Sequence, residues 1–119
     1  MPLDDTNWSA PAPDTQTDET TELLIRARSL LKRGWCRGTA AQTSFGLPVS
    51  LYSRWAVAWC ASGALKAART GTSDLDYRRA SIRLIAAIGG VNIADFNDRQ
   101  ETVEPVLAAF DRAIAAGGR

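Results

Sequence analysis

The sequence predicts an all-α fold: an irregular, partly orthogonal bundle of four main helices with one or two short helical turns. Residues 23–31 and 103–114 both carry apolar residues at helical spacing. No segment shows the convincing alternation of apolar and polar residues that is typical of a half-buried strand. Glycine-containing connections of different lengths separate the periodic segments, which favours an irregular bundle over a regular up-and-down one.

The first helix is predicted to begin after Asp18 and to end at Gly34. Aspartate is a favourable N-cap, and glycine is a common helix stop. The apolar residues share one face at spacings i, i+1, i+4, i+7 and i+8, namely Leu23, Leu24, Ala27, Leu30 and Leu31.

The middle of the chain predicts a long connection followed by a second long helix. Residues 34–49 contain three glycines and a proline, and one short helical turn is expected around Thr39 to Gln42. The second helix is predicted from Ser50 or Ser53 to Arg69. Its tryptophans, Trp55 and Trp59, are expected in the core beside a stripe of small residues that admits a neighbouring helix: Ala56, Cys60, Gly63 and Ala67.

The third helix is predicted to begin at a cap supplied by Thr72 or Ser73 and to end at Gly89. A single helical turn is expected from Ala94 to Asn97.

The last helix has the clearest periodicity in the chain. Thr102 is the predicted N-cap, and Pro105 falls in the first turn, where a missing N–H costs nothing. Gly117 is the predicted stop.

Charge divides the chain into an acidic head and a basic middle. Residues 1–22 carry six acids and no base, whereas residues 23–73 carry eight bases and no acid. Residues 1–18 are predicted to be a disordered acidic tail, and residues 19–119 a single helical domain. The N-terminus lacks the basic and apolar segments of a leader peptide, so we expect a cytoplasmic protein without a membrane span.

The absence of histidine excludes several kinds of active site. Ser-His-Asp and Cys-His nucleophile pairs need an imidazole. Two cysteines alone cannot complete a tetrahedral zinc shell. We therefore expect no metal site, no cofactor and no catalytic residues, and an enzyme is the less favoured interpretation.

Two cysteines are candidate thiols. Cys60 is predicted in mid-helix among alanines, where a small core residue is the favoured interpretation. Cys36 lies in the loop beside Arg37 and near Arg33, where a cation lowers a thiol pKa, so it is the better candidate for a reactive thiol. An ordinary loop cysteine is nevertheless the favoured interpretation of Cys36 as well. A disulfide between them is disfavoured in a reducing compartment.

Five residues are candidates for binding a ligand or partner. Trp35, Arg37 and Arg54 lie in the basic segment, where rings for stacking and guanidinium groups for phosphate suit a nucleotide or nucleic acid. Asn97 and Asp98 form a polar pair after Phe96 that could hold a ligand or a partner backbone. Turn and capping chemistry explains the same pair without a ligand.

Four short motifs together resemble a family of small bacterial and phage proteins of unknown function. They are Gly34-Trp35, Cys60 to Leu65, Asn97-Asp98 and Asp111 to Ile114, and the resemblance covers about residues 22–116. It implies a free-standing single domain, often in genomes with mobile elements, and it brings no activity. It also makes Trp35, Cys60 and the Asn-Asp pair the positions to test first.

Three functions remain open from the sequence. The first is a non-enzymatic module that binds a protein partner or a second copy of itself. The second is a nucleotide or nucleic-acid binder that uses the basic segment 23–73. The third is a thiol enzyme built on Cys36 or Cys60.

Overall fold

The computed structural model describes residues 18–117 and confirms the all-α class. Within that range the chain forms five helices and one sheet of two very short strands. All but the last residue of the predicted tail lie outside the described residues. In chain order the elements are α1 (Glu19–Arg33), β1 (Ala41–Gln42), β2 (Ala58–Trp59), α2 (Ala61–Ala67), α3 (Asp74–Ala87), α4 (Ile93–Asp98) and α5 (Glu104–Ala116).

Helix α1 is the central element, and its predicted ends are confirmed. The Asp18 carboxylate accepts a hydrogen bond from the Thr21 N–H at 2.8 Å, and Gly34 is the C-cap. That hydrogen bond is the main reason why the pKa of Asp18 lies below its usual value, with the Arg83 charge assisting. Because α1 packs against α2, α3 and α5, its apolar face organises the molecule.

The core lies where α1, α3 and α5 meet. Leu24 on α1, Leu84 on α3 and Phe110 on α5 are almost completely removed from solvent. The apolar positions predicted for the first and last helices supply most of the other large core residues: Leu23, Leu31 and Val106.

The prediction of a long second helix is wrong at its N-terminal end. Helix α2 begins at Ala61, and Cys60 is its N-cap rather than a mid-helix residue. The hydroxyls of Ser50 and Ser53 accept hydrogen bonds from the N–H groups of Tyr52 and Trp55. These local bonds satisfy the backbone in turns, and they compete with helix formation.

The chain before α2 forms the small sheet instead, so the predicted helical turn around residues 39–42 is also wrong. Ala41 pairs with Trp59, and Gln42 with Ala58, in an antiparallel register. Gly34 lies so close to this sheet that a Cβ there would collide with the Val57 carbonyl. The sheet is therefore held against the C-terminal end of α1.

The remaining elements follow the sequence prediction closely. Ser73 caps α3 by accepting from the Asp76 N–H, and α4 extends the expected turn by one residue at each end. The predicted cap of α5 is wrong, because Val103 occupies that position and makes no side-chain cap bond. Pro105 lies in the first turn of α5, and Gly117 ends the helix.

Candidate functional site

The predicted site residues fall into two separate places. Trp35, Cys36, Cys60, Asn97 and Asp98 come together where the loop after α1 meets α2 and α4, and we call them the Asn97 cluster. Arg54 lies instead in the connection between the two strands. No local pattern indicates this division, because residues 35, 60 and 97 are far apart along the chain.

Asn97 is fully buried and uses the whole hydrogen-bonding capacity of its amide. Its Oδ1 accepts from Trp35 Nε1 at 2.7 Å and from the Ala61 N–H at 2.9 Å. Its Nδ2 donates to the Cys36 carbonyl and to Asp98 Oδ1, both at 3.1 Å. The Ala61 N–H is one of the donors that a helix start leaves without an internal partner. Asn97 thus joins three elements, which is a structural role.

Asp98 and one further side chain, Arg37, close the rim of the Asn97 cluster. The exposed Asp98 accepts from the Gly38 N–H at 3.0 Å, and Arg37 donates to the Gln100 carbonyl at 2.7 Å. The Arg37 guanidinium also lies 5.9 Å from the centre of the Trp35 ring. These contacts tie the loop after α1 to α4. A ligand-binding role for these residues stays a prediction.

Both cysteines are free and buried in this cluster. Cys60 Sγ accepts from the Gly63 N–H at 3.2 Å and so caps α2. Burial is the main cause that raises the pKa of the Cys36 thiol to about 11, and the neighbouring Cys60 and Asp98 act in the same direction. Arg37 nearby does not offset this. Because the thiolate is the nucleophile, Cys36 is poorly suited to nucleophilic chemistry near pH 7.

A different surface exposes large apolar side chains. Its members lie between the strands or border β2, and we call it the apolar loop surface. Trp55 is 64% exposed and Phe45 is 88% exposed, so the expectation that Trp55 belongs to the core is wrong. Arg54 places its guanidinium 5.0 Å from the centre of the Trp55 ring. The apolar members are Phe45, Leu47, Tyr52, Trp55 and Val57.

Backbone hydrogen bonds define the shape of this loop. The Thr43 N–H donates to the Leu47 carbonyl at 2.9 Å, and its Oγ1 accepts from the N–H groups of Phe45 and Leu47 at 3.2 Å. The Val57 N–H donates to Gln42 at 2.9 Å, which attaches the second half of the loop to β1. The aromatic side chains are therefore presented by a backbone that is hydrogen-bonded in place.

A cleft of about 290 Å³ opens among four of these apolar side chains, those of Phe45, Leu47, Trp55 and Val57. Thr43, Ser44 and Arg54 supply its polar atoms, and the rest of its lining is apolar. This volume is at the lower limit of roughly 300 Å³ for small-molecule sites. A second cleft, of about 220 Å³, borders Cys60, Ser62 and Asp98 and is smaller still.

A comparison with protein families places most of the chain in a family. The model of a family described as "Family of unknown function (DUF6197)" matches residues 15–116. The chain belongs to this family. No curated protein and no solved structure matches it. The DUF6197 match contains the Asn97 cluster and the whole apolar loop surface.

Part of the basic segment 23–73 of this DUF6197 member is bonded to other residues of the same domain. Half of its eight bases bond to other parts of the domain. Arg28 pairs with Asp111 at 2.7 Å, and Arg69 pairs with Asp74. Arg26 donates to the Ala68 carbonyl at 3.3 Å, and Arg37 is held by Gln100. The side chains of Lys32, Arg33, Arg54 and Lys66 make no hydrogen bond or ion pair with the described residues.

Four members of the apolar loop surface were missed as site candidates. Phe45, Leu47, Tyr52 and Val57 lie in or near a segment rich in glycine, proline and serine, FGLPVSLYS. Large apolar residues inside such a loop-forming segment indicate an exposed apolar surface, because loops lie at the surface. The prediction of a helix over part of the segment hid this indication.

Two further findings concern residues 18–117 only. No helix in that range is long and apolar enough to cross a membrane. No group of three or more Cys, Asp or Glu side chains there is arranged to hold a metal ion.

Proposed function

We propose that this DUF6197 member is a non-enzymatic module that binds a protein partner through the apolar loop surface. The observation that carries the proposal is the exposure of five large apolar side chains on one hydrogen-bonded loop. Contiguous apolar patches of a few hundred Å² on a soluble domain commonly mark interaction sites. Trp, Tyr and Arg, all present here, are the residues most enriched among binding hot spots.

The size of the surface supports a protein partner. An aromatic side chain buries roughly 150–250 Å². Phe45, Tyr52 and Trp55 are 88%, 68% and 64% exposed, which leaves on the order of 400 Å² of accessible aromatic surface. That is about half of the roughly 800 Å² that each partner contributes to a standard complex. The surface can therefore form the centre of an interface.

The other two hypotheses receive less support from the geometry. Nucleic-acid binding draws its affinity from several basic side chains that contact phosphates, and half of the bases in residues 23–73 are engaged within the domain. A thiol enzyme needs an accessible thiolate, whereas Cys36 and Cys60 are only 5% and 6% exposed. A cytoplasmic location and a link to phages or mobile elements stay predictions.

Photo-cross-linking in the native host tests the proposal. Tyr52 is replaced by the photoreactive p-benzoylphenylalanine in the full chain. Ile82, which is 59% exposed on α3, receives the same replacement as a matched control. We expect a discrete adduct of higher mass from position 52, no such adduct from position 82, and loss of the first in a Trp55→Ala background.

Three outcomes would contradict the proposal. They are the absence of an adduct from position 52, equal adducts from positions 52 and 82, and an adduct that persists at full yield in the Trp55→Ala background. An adduct of twice the chain mass would identify the partner as a second copy.

A further inference from the structure

We infer that the partner presents an acidic segment that contains one large apolar side chain. This side chain enters the cleft of the apolar loop surface, and a neighbouring carboxylate of the partner binds Arg54. This inference rests on the proposed function and names the chemistry of the partner. Two observations carry it: the charge around the surface and the size and lining of the cleft.

Arg54 supplies the charge at this surface. Among residues 18–117 it is the only charged residue that lines the cleft. Its side chain makes no ion pair or hydrogen bond with residues 18–117, yet its guanidinium is held over the Trp55 ring at 5.0 Å. A guanidinium placed beside an aromatic wall is pre-organised to bind a carboxylate through charge-assisted hydrogen bonds.

The surrounding sequence favours a negatively charged partner. Residues 23–73 contain no acid, so no carboxylate of this segment competes for Arg54. Opposite charges at the edge of an apolar contact steer association and select partners more than they add affinity. An acidic segment is therefore attracted to this surface, whereas a basic one is repelled.

The cleft itself selects an apolar side chain rather than a bound metabolite. Its 290 Å³ is lined mainly by Phe45, Leu47, Trp55 and Val57. A volume at the lower limit for small-molecule sites suits one large side chain, such as leucine, phenylalanine or tryptophan. Burial of such an anchor in a desolvated pocket is how a few residues come to dominate an interface.

A second copy of the chain is a poorer occupant. A two-fold interface centred on this surface would bring two Arg54 side chains together. No acid between residues 23 and 73 could stand between them. Like charges facing each other across an interface are costly, so the charge pattern favours a different protein.

Selection from a peptide library on the full chain tests the inference. A phage-displayed library of random 12-residue peptides is selected on the immobilised wild-type chain, and in parallel on the Arg54→Glu and Trp55→Ala variants. We expect wild-type peptides with Asp or Glu within a few residues of Trp, Phe or Leu. Arg54→Glu should replace the acids with Lys or Arg, and Trp55→Ala should abolish enrichment.

Affinities measured in solution give the quantitative test. The most enriched peptide is labelled and titrated by fluorescence anisotropy. Arg54→Gln is expected to raise its Kd about 5- to 20-fold, as for loss of one charge-assisted hydrogen-bonded pair. Lys66→Gln is the matched control, because Lys66 is exposed and its side chain has no partner among the described residues. It should leave the Kd within about twofold.

The outcomes separate the inference from the proposed function. Peptides that need Trp55 but show no acidic bias, or a Kd that Arg54→Gln leaves unchanged, would overturn the inference and leave the proposed function intact. Failure to enrich peptides, or enrichment unaffected by Trp55→Ala, would overturn both.

Two other occupants would also overturn the inference. One is a second copy, which a dimer in sedimentation equilibrium that dissociates on Trp55→Ala would show. The other is the acidic head of the chain itself. Peptide binding that appears only in the Trp8→Ala variant would assign the surface to that segment.

Discussion

Asn97 is the residue on which the geometry of the cluster depends most. One amide of zero exposure bonds to groups from the loop after α1, from α2 and from its own helix. A leucine or alanine there would leave the buried Ala61 N–H, the buried Cys36 carbonyl and the partly buried Trp35 indole N–H without this partner. Buried polar groups left unpaired cost far more than the net gain of an ordinary hydrogen bond.

We therefore predict that Asn97→Ala lowers the free energy of unfolding by about 2–4 kcal/mol, since more than one buried group loses its partner. Urea denaturation followed by tryptophan fluorescence measures it. Asn92→Ala is the matched control, because Asn92 is an exposed N-cap whose side chain, among the described residues, bonds only the Asp95 N–H. Its loss should cost about 1 kcal/mol. Equal losses of unfolding free energy for the two variants would contradict the structural role of Asn97.

Cys36 carries a second prediction at this scale, on pH dependence. The folded chain keeps this thiol protonated up to a pKa of about 11, against 9.0 for an unperturbed cysteine. Between these two pH values the unfolded chain releases a proton that the folded chain retains. Stability therefore falls as pH rises through that range.

The Cys36→Ala variant lacks this contribution. The difference in free energy of unfolding between wild type and variant should be constant below about pH 8 and should shrink from pH 9 to 11, as a folded-state pKa above the unfolded one requires. Urea titrations at several pH values measure it. Parallel pH curves would show that burial does not hold the Cys36 proton.

At the scale of elements, α2 shows how one short helix is fixed by its surroundings. Its first N–H is satisfied by Asn97, and its third residue, Gly63, touches the loop backbone. A Cβ on Gly63 would collide with the Ala40 carbonyl. The close approach expected of this small residue is therefore present, although its neighbour is a loop and not another helix.

We predict that Gly63→Ala destabilises the chain by about 1–3 kcal/mol, the usual cost of overpacking. Alanine would otherwise favour a helix by about 1 kcal/mol over glycine. The sign of the change in stability therefore shows whether the collision outweighs helix propensity. Thermal unfolding by circular dichroism measures it. Ser62→Ala, at the adjacent and partly exposed position, should change stability by less than about 0.5 kcal/mol. A Gly63→Ala variant more stable than wild type would contradict the packing.

At the scale of the whole molecule, aromatic residues are divided between a core and a surface. Phe110 is completely buried where α5 meets its neighbours, whereas Trp55 is largely exposed. Apolar burial is the main stabilising contribution to a fold. Exposed apolar residues contribute little to the stability of the fold. Their surface remains available for burial against a partner.

Truncation of the two aromatic residues should separate these roles. Phe110→Ala is expected to cost about 3–5 kcal/mol, as for a buried aromatic residue. Trp55→Ala should change the free energy of unfolding by less than about 0.5 kcal/mol. Urea denaturation of both variants by circular dichroism measures the contrast. A large loss of unfolding free energy for Trp55→Ala would show that this side chain stabilises the fold. That result would argue against the proposed docking surface.

Helices α1 and α5 can be predicted from local signals alone. Helix α1 has its cap, its apolar face and its glycine stop within residues 18–34, and α5 has an equally regular face. Capping hydrogen bonds and side-chain spacing involve residues only a few positions apart, so a short stretch of sequence is enough to predict them. The absence of histidine also restricted the chemistry before any fold was known.

The start of α2, the role of Asn97 and the exposure of each aromatic residue depend on contacts between distant parts of the chain. Trp59 pairs with residues from two earlier segments, and Asn97 bonds to groups 36 to 62 positions away. Small residues at helical spacing in residues 56–67 fit a longer helix equally well. Pairing with distant backbone, which no local pattern encodes, stabilises the strand instead and leaves the apolar loop surface in solvent.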